Sequence, residues 1–131
     1  MTALSFGFTK IVVSDIERAE RFYANVFGMQ PMHRVRSEEH AYPLEEVILS
    51  LSPDGHKLLL VRYLTRPCPP SGAVWIGFTV ADMGAALRDV ESAGGRIEVP
   101  PHENPEHGVV AAIAADPDGH LIEVIQMLGS A

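Results

Sequence analysis

A glutamate stands in the middle of an apolar strand pattern near the end of the chain. The segment DPDGHLIEVIQ, residues 116–126, predicts a tight turn followed by a strand, with Glu123 among apolar neighbours. A carboxylate in such surroundings is expected to pair with a cation or to lose water and favour its neutral form. Paired, Glu123 would orient a ligand; desolvated, it would serve as a general base. The remaining interpretation is a remnant carboxylate that reaches water at an open edge.

The histidines are the other residues whose chemistry suits proton transfer or metal binding: His33, His40, His56, His102, His107 and His120. His56 and His120 follow two equivalent Pro-Asp-Gly turns, so we expect both at hairpin ends in solvent. His40, His102 and His107 fall on predicted loops that precede the hairpins. His107 is the histidine that we favour for ligand contact or proton transfer. A metal site built from these three loop histidines is an alternative that their spacing does not specifically support.

Composition narrows the class of protein. With 131 residues and 47% hydrophobic content, the chain suits one domain with a packed core. Ten basic and seventeen acidic residues give a net charge of −7 without a basic cluster, which argues against nucleic acid as a partner. We find no apolar run that could span a membrane and no signal-like start, so we expect no membrane partner and a cytoplasmic location. The single cysteine, Cys68, has no internal disulfide partner.

The chain carries the same pattern of elements twice. FGFTKIVV, residues 6–13, predicts a strand, and the following residues 14–29 predict an amphipathic helix. AVWIGFTV, residues 73–80, and residues 81–95 repeat that order. Asp15 and Asp82 are 67 residues apart, as are Phe8 and Trp75. A duplicated unit of this size indicates an internal structural repeat.

Both predicted helices have start and stop signals. Ser14 and Glu17 have the spacing of a capping box, and Asp82 is placed to cap the second helix. Gly28 and Gly94 follow the last helical turns, where a left-handed conformation is expected.

Each half closes with a predicted hairpin, whose turn is SPDG in the first half and DPDG in the second. The sequence therefore predicts an α+β fold of two tandem βαβββ modules in one domain, residues 1–131. The first module covers about residues 6–63, a stiff linker covers 64–72, and the second module covers about 73–127.

The segments VSDIERAERFYANVFGM and DPDGHLIEVIQ carry a family resemblance. In them the chain resembles the vicinal oxygen chelate superfamily of glyoxalases, bleomycin resistance proteins and extradiol dioxygenases, over roughly residues 6–127. The resemblance implies a cup-shaped mixed sheet with the helices outside, a small-molecule ligand in the cup, and a homodimer. By alternation, the side chains expected to face the cup and contact the substrate are Phe8, Lys10, Leu60, Arg62, Trp75 and Thr79, together with Glu123.

The resemblance also implies where a metal ion would be held. In metal-using members, His and Glu side chains at the middles of four strands bind a divalent ion. Those positions fall on Phe8, Leu60, Trp75 and Glu123 in this chain. Three of the four are apolar, and one carboxylate does not supply the donors that such an ion needs. We therefore expect no metal cofactor, and neither metal-dependent glyoxalase nor dioxygenase activity.

Two functions remain open, beside a third possibility in which the chain is a scaffold whose cup is closed by its own side chains. One is a lyase or isomerase that acts on a small oxygenated metabolite, with Glu123 and His107 as catalytic residues and Arg62 or Lys10 opposite the developing oxyanion. The alternative is a binding protein that sequesters a planar drug or metabolite without chemistry, as in the bleomycin resistance branch. Phe8 and Trp75 would stack on a flat ligand, or they simply fill the space of the lost metal.

Overall fold

The computed structural model describes residues 2–38 and 41–129. Its elements, in chain order, are β1 (Phe8–Val12), α1 (Ile16–Phe27), β2 (Gln30–Ser37), β3 (Leu44–Ser50), β4 (Lys57–Tyr63), β5 (Trp75–Thr79), α2 (Met83–Ser92), β6 (Arg96–Asn104), β7 (Val109–Ala115) and β8 (Leu121–Met127). They form two four-stranded mixed sheets with the strand orders β1-β4-β3-β2 and β5-β8-β7-β6. The predicted α+β fold of two βαβββ repeats is confirmed. Neither helix is long and apolar enough to cross a membrane.

The chain clusters into two units. One comprises Met1–Glu20 and Gly28–Pro69, and the other comprises Arg21–Phe27 and Pro70–Ala131. The second half of α1 therefore belongs with the second unit.

In the first unit, β1 runs parallel to β4, and the other neighbouring strands are antiparallel. Residues that oppose each other on paired strands share one face of a sheet. Ile11, Leu60 and Val47 oppose one another across β1, β4 and β3, and all three are buried. They mark the core face of the first sheet.

The core face of the second sheet carries Phe78, whose ring stacks on that of Phe27 with the ring centres 3.9 Å apart. Tyr23 packs near the same ring. The side-chain oxygen of Gln126 accepts a hydrogen bond of 2.6 Å from the backbone N–H of Met83 at the start of α2. Aromatic residues from α1 and the first turn of α2 therefore cover this face.

The helix ends differ in part from the prediction. Asp82 caps α2 as expected, since its carboxylate accepts from the backbone N–H of Ala85. The residue that caps α1 is Asp15 and not the predicted Ser14, since α1 begins at Ile16 and the carboxylate of Asp15 accepts from the backbone N–H of Arg18 at 3.0 Å. Ser14 accepts from the guanidinium of Arg18. The cap therefore sits at the same repeat position in both modules.

Gly94 and Gly95 end α2 in two ways. Gly94 adopts a φ of 93°, the left-handed conformation expected at a helix exit. Gly95 is confined by close approach, because a Cβ there would lie 2.5 Å from the backbone oxygen of Ala115. Gly28 ends α1 with a φ of 75°, as predicted. Of the two hairpin glycines, Gly119 has a positive φ and Gly55 does not, although both turns close with a hydrogen bond.

Candidate functional site

Glu123 lies at the centre of β8, on the face of the second sheet opposite the core. Its neighbours in register are Gly77 on β5 and Ile113 on β7. We call this surface the Glu123 face. By the pairing of the strands it carries Trp75, Gly77, Thr79, Leu121, Glu123, Ile125, Ala111, Ile113 and Ala115.

Glu123 is half-buried and surrounded mainly by apolar side chains. Among the described residues of the second unit, none donates a hydrogen bond or forms an ion pair with its carboxylate. Gly77 leaves open space beside it, since a Cβ there would meet only the backbone oxygen of Glu123 at 4.0 Å. Within the described part of its own unit, the carboxylate therefore has no structural partner.

Gly77, Glu123 and Ile113 oppose one another across three strands, and we call them the Glu123 row. Trp75 and Thr79 lie on either side of this row, on the same face. The Trp75 side chain is 53% exposed, although tryptophan is usually a largely buried residue. Its indole N–H and the Thr79 hydroxyl are hydrogen-bond donors one row before and one row after Glu123. These donors and the Glu123 carboxylate give the face both donating and accepting groups.

In the first sheet, the face opposite the core carries Phe8 and Lys10. Phe8 is 55% exposed, and the ammonium group of Lys10 lies 5.9 Å from its ring centre. Lys10 also forms an ion pair of 3.2 Å with Glu46 on the same face. Lys10 is thus partly neutralised within its own sheet.

The placement of Leu60 and Arg62 on the ligand-facing side is wrong. Leu60 opposes the buried Ile11, so it lies on the core face, and it is completely buried. Arg62 shares that face and donates a hydrogen bond of 2.7 Å from Nε to Glu45. The predicted register of β4 was off by one residue, because LLLV, residues 58–61, is apolar on both faces and alternation carries no signal there.

Leu59 is the repeat equivalent of Glu123. His56 and His120 are equivalent residues 64 positions apart, and the same offset leads from Glu123 to Leu59. Leu59 opposes Lys10, on the face opposite the core. By this offset, the second position at which the resemblance implies a metal ligand is Leu59 instead of Leu60, and it is also apolar.

Arg62 lines an open cleft in the first unit at the start of α1. The cleft has a volume of about 470 Å³ and is lined by Ser14, Asp15, Ile16, Glu17, Arg34, Glu45 and Arg62. Arg34 holds Glu20 through two hydrogen bonds of 2.7 Å. This pairing, and Glu45 beside Arg62, leave the cleft without an unopposed arginine.

The histidines are distributed differently from the prediction. His107 is exposed in the turn between β6 and β7. It lies six residues from Ile113, the residue of β7 opposite Glu123, which is about 20 Å at 3.4 Å per residue. His102 is wrongly assigned to a loop, because it belongs to β6. His120 is 8% exposed and not in solvent as expected. His56 is exposed and hydrogen-bonds to the Thr9 hydroxyl. His40 lies outside the described residues.

A buried pair in the second unit was not anticipated. The hydroxyl of Tyr23 donates a hydrogen bond of 2.8 Å to Asp116, and both residues are almost completely buried. The other carboxylate oxygen of Asp116 accepts from the backbone N–H groups of Asp118 and His120. Burial and the negative charge of Asp116 raise the pKa of Tyr23 well above its ordinary value of 10.0. The donors and acceptors are matched, which suits a structural role.

Solved structures share this fold. A glyoxalase family protein from Bacillus cereus superposes with a TM-score of 0.81 at 23% identity, covering 98% of this chain and 97% of the other. A glyoxalase I variant from Zea mays gives a TM-score of 0.75 at 21% identity, covering 93% of this chain and 45% of the plant chain.

Sequence comparisons agree with the structural ones. The chain is 30% identical over 122 residues to a probable lactoylglutathione lyase of Vibrio parahaemolyticus, covering 90% of this chain and 87% of that protein. It is 27% identical over 119 residues to a lactoylglutathione lyase of Arabidopsis thaliana, covering 87% of this chain but 41% of the plant protein. The profile of one family matches residues 5–124. The chain therefore belongs to the glyoxalase/bleomycin resistance protein/dioxygenase superfamily.

Proposed function

We propose that the chain is a lyase or isomerase for a small oxygenated metabolite, with Glu123 as its proton-transfer base. The observation that carries this proposal is the Glu123 carboxylate, which stands on an apolar sheet face with no donor from the described residues of its own unit. A carboxylate without a structural partner remains free to take a proton from a bound molecule. The names of the Vibrio and Arabidopsis relatives support the lyase class.

The donor set does not fit the metal ion that the superfamily's metal-using members hold. The four corresponding positions are Phe8, Leu59, Trp75 and Glu123, which together supply one oxygen donor. Among residues 2–38 and 41–129, no group of three or more His, Cys, Asp or Glu side chains is arranged to hold a metal. We therefore propose that the reaction proceeds without a metal cofactor, and we assign no step to one.

The chemistry follows from the groups on the Glu123 face. Glu123 takes a proton from a carbon next to a carbonyl group, and the C–H bonding pair moves into an enolate. The Trp75 indole N–H and the Thr79 hydroxyl are the donors placed to stabilise the enolate oxygen. In a hydroxy ketone, return of the proton to the former carbonyl carbon, with the hydroxyl proton of the deprotonated carbon passing to the enolate oxygen, gives an isomerase. Departure of a leaving group with its bonding pair from the carbon on the other side of the deprotonated carbon, as the enolate collapses to an unsaturated ketone, gives a lyase.

Hydrogen–deuterium exchange tests the base directly. Chelator-treated protein in D₂O is mixed with hydroxyacetone, dihydroxyacetone or lactoylglutathione, and loss of the carbon-bound proton signal is followed by NMR. The wild type should accelerate exchange, and Glu123→Gln should reduce the rate by about 10²–10⁴-fold, the usual contribution of a general base. Glu103→Gln is the matched control. Glu103 is opposite Val110 and therefore lies on the other face of the sheet from Glu123.

Two results would contradict the proposal. Exchange that survives in Glu123→Gln would show that another group is the base. Exchange that requires added nickel, zinc or manganese, with stoichiometric metal found by elemental analysis, would restore metal-dependent chemistry.

The exposed indole of Trp75 favours a second candidate, the sequestering of a planar molecule. Trp75 is the single tryptophan of the chain, so intrinsic fluorescence reports on this residue alone. Saturable quenching by a planar ligand, without turnover or exchange and unchanged in Glu123→Gln, would favour this function over catalysis.

A further inference from the structure

Two prolines determine the orientation of His102. The pairing of β6 with β7 shifts between Ile97 and Val99 and again between Val99 and His102. Pro100 and Pro101 lie within the second shift, and proline has no N–H to donate to a ladder, so the strand bulges there. If the antiparallel pairing continued without a bulge after the pair Val99–Ile113, Pro101 would be opposite Ala111. In the structure, His102 is opposite Ala111.

This shift places His102 on the Glu123 face. Ala111 is opposite Ile125, which shares the face of Glu123. The regular pairs of Glu103 with Val110 and Asn104 with Val109 follow, so the register after the bulge is settled. His102 and Glu123 are two strands and two residues apart. Strand spacings of about 4.8 Å and a rise of about 3.4 Å put their Cα atoms about 12 Å apart.

We infer that His102 is the second ligand-contacting group of the Glu123 face, and that it accepts a hydrogen bond from a hydroxyl of a small hydroxylated carbonyl compound. This inference rests on the proposed function, since it takes the reacting carbon of that compound to lie at Glu123. The substrate class is therefore a hydroxy ketone or hydroxy aldehyde with at least one hydroxyl beyond the reacting carbon.

The contacts of the imidazole support an accepting role. His102 is exposed, and its Nδ1 lies 3.4 Å from the backbone oxygen of Pro100. A carbonyl oxygen only accepts hydrogen bonds, so the tautomer that satisfies this contact carries its proton on Nδ1 and presents Nε2 as an acceptor. The carboxylate oxygens of Glu123 also accept hydrogen bonds. Two acceptors on one face select a ligand with donors toward both.

The residues around the two groups suit such a ligand. Ala111, on the strand between them, is opposite both His102 and Ile125 and carries only a methyl group. Thr79 lies in the same row as His102 and adds a hydroxyl that both donates and accepts. Arg96, the other charged side chain on this face by register, is engaged with Glu98.

The test uses three hydroxy ketones of increasing length: hydroxyacetone, dihydroxyacetone and erythrulose. The Cε1–H resonance of His102 is assigned by its absence in His102→Gln and followed by NMR during each titration. We expect it to shift with at least one ketone, in the wild type and also in Glu123→Gln, which retains the fold but lacks the base. His102→Gln should weaken binding of that ketone about tenfold, the size of one hydrogen bond, and Glu103→Gln should not.

The outcomes separate the inference from the proposed function. A shift of the His102 resonance without proton exchange in the wild type supports the hydroxyl contact and contradicts the catalytic role of Glu123. Exchange that depends on Glu123 but not on His102 supports the base and overturns the inference. A resonance that moves with none of the three ketones overturns it as well. Circular dichroism of His102→Gln verifies the fold, and His102→Asn serves if that variant is unfolded.

Discussion

At the scale of single residues, two carboxylates of the second unit have opposite roles. Asp116 is buried, and both of its oxygens accept hydrogen bonds from the chain itself. Glu123 is only half-buried, yet no described residue of its unit donates to it. Buried polar groups are normally satisfied by the fold, so a group left without a partner is the better candidate for ligand chemistry. The two carboxylates therefore differ chiefly in whether their oxygens are hydrogen-bonded, and less in how deeply they are buried.

Removal of the Tyr23 hydroxyl should destabilise the fold. In Tyr23→Phe, one oxygen of the buried Asp116 carboxylate loses its donor at 2.8 Å, and a buried acceptor left unsatisfied costs about 1–3 kcal/mol of unfolding free energy. Urea unfolding followed by circular dichroism measures the loss. Tyr63→Phe is the control, since it removes a tyrosine hydroxyl from a half-buried strand position. Equal stability of both variants would show that the buried bond contributes nothing.

The same tyrosine should make stability depend on pH in alkali. Burial and the charge of Asp116 raise the pKa of Tyr23 above 10.0 in the folded state, so the folded chain retains a proton that the unfolded chain releases. The stability that this provides is complete below pH 10 and is lost as pH rises toward the folded pKa. Over that range, unfolding free energy should fall by up to about 1.4 kcal/mol per pH unit. Tyr23→Phe should lack this component, and parallel pH profiles for the two proteins would contradict it.

The sequence predicted single residues well where the two faces of a strand differ. Ile11 is buried and Lys10 exposed as alternation implied, and Trp75 and Glu123 share one face. It failed in β4, where four consecutive apolar residues give no alternation. The repeat offset between His56 and His120 held the missing information, because it maps Glu123 onto Leu59.

At the scale of elements, the internal repeat predicts the start of α1 better than a short local motif does. The capping-box spacing of Ser14 and Glu17 predicted the wrong cap, while Asp82 was predicted correctly. Asp15 is the repeat equivalent of Asp82, and both carboxylates bond to the N–H three residues on. A structural repeat requires the same backbone geometry twice, whereas a four-residue motif occurs by chance.

Asp15→Ala should therefore destabilise the chain more than Ser14→Ala. Loss of an N-cap side chain costs about 0.5–2 kcal/mol, because a backbone N–H of the first turn is left without a protein acceptor. Ser14 lies one residue before the cap position and accepts from the guanidinium of Arg18, a side-chain contact at the exposed start of the helix, so its removal should cost less. Thermal and urea unfolding of both variants test the order. A larger effect for Ser14→Ala would reinstate the capping box.

In β6, the outer strand of the second sheet, the sequence failed to predict that the strand continues past its two prolines. Pro100 and Pro101 made the segment read as a loop, since proline removes ladder hydrogen bonds. The structure keeps the strand to Asn104 and absorbs the prolines as register shifts. Single-sequence reasoning places prolines at edges and bulges, but it does not show which neighbour each later residue will oppose. The position of His102 on the Glu123 face could therefore only come from the register.

At the scale of the whole molecule, the chain has the superfamily fold, and we propose that it lacks the metal donor set of the metal-using members. The two βαβββ repeats and their hairpin turns were predictable, because the same sequence pattern occurs in both halves of the chain. In this proposal three of the four donor positions carry Phe8, Leu59 and Trp75, and apolar residues there are compatible with the sheets because a strand accepts apolar side chains on either face. The fold thus does not determine the chemistry, which depends on the side chains that remain.

The division of the chain also predicts which fragments fold. Residues 21–27 of α1 cluster with residues 70–131, where the ring of Phe27 stacks on Phe78 and Tyr23 satisfies Asp116. A fragment of residues 70–131 would lack both partners. Loss of one buried aromatic side chain costs about 1.5–3 kcal/mol of unfolding free energy, and loss of a buried hydrogen bond adds to this cost. The sum approaches the total unfolding free energy of a domain of this size. The isolated fragment should therefore show poorly dispersed NMR signals and no cooperative urea transition.

A peptide of residues 14–29 offers the complementary test of the same interface. Added in excess to the 70–131 fragment, it should restore dispersed signals, because it returns the phenylalanine ring and the tyrosine hydroxyl to the second sheet. The same peptide with Phe27→Ala and Tyr23→Phe should restore much less, although its helix cap at Asp15 is unchanged. A fragment that folds cooperatively alone, or responds equally to both peptides, would mean that α2 suffices to cover the second sheet and that the α1 residues are dispensable there.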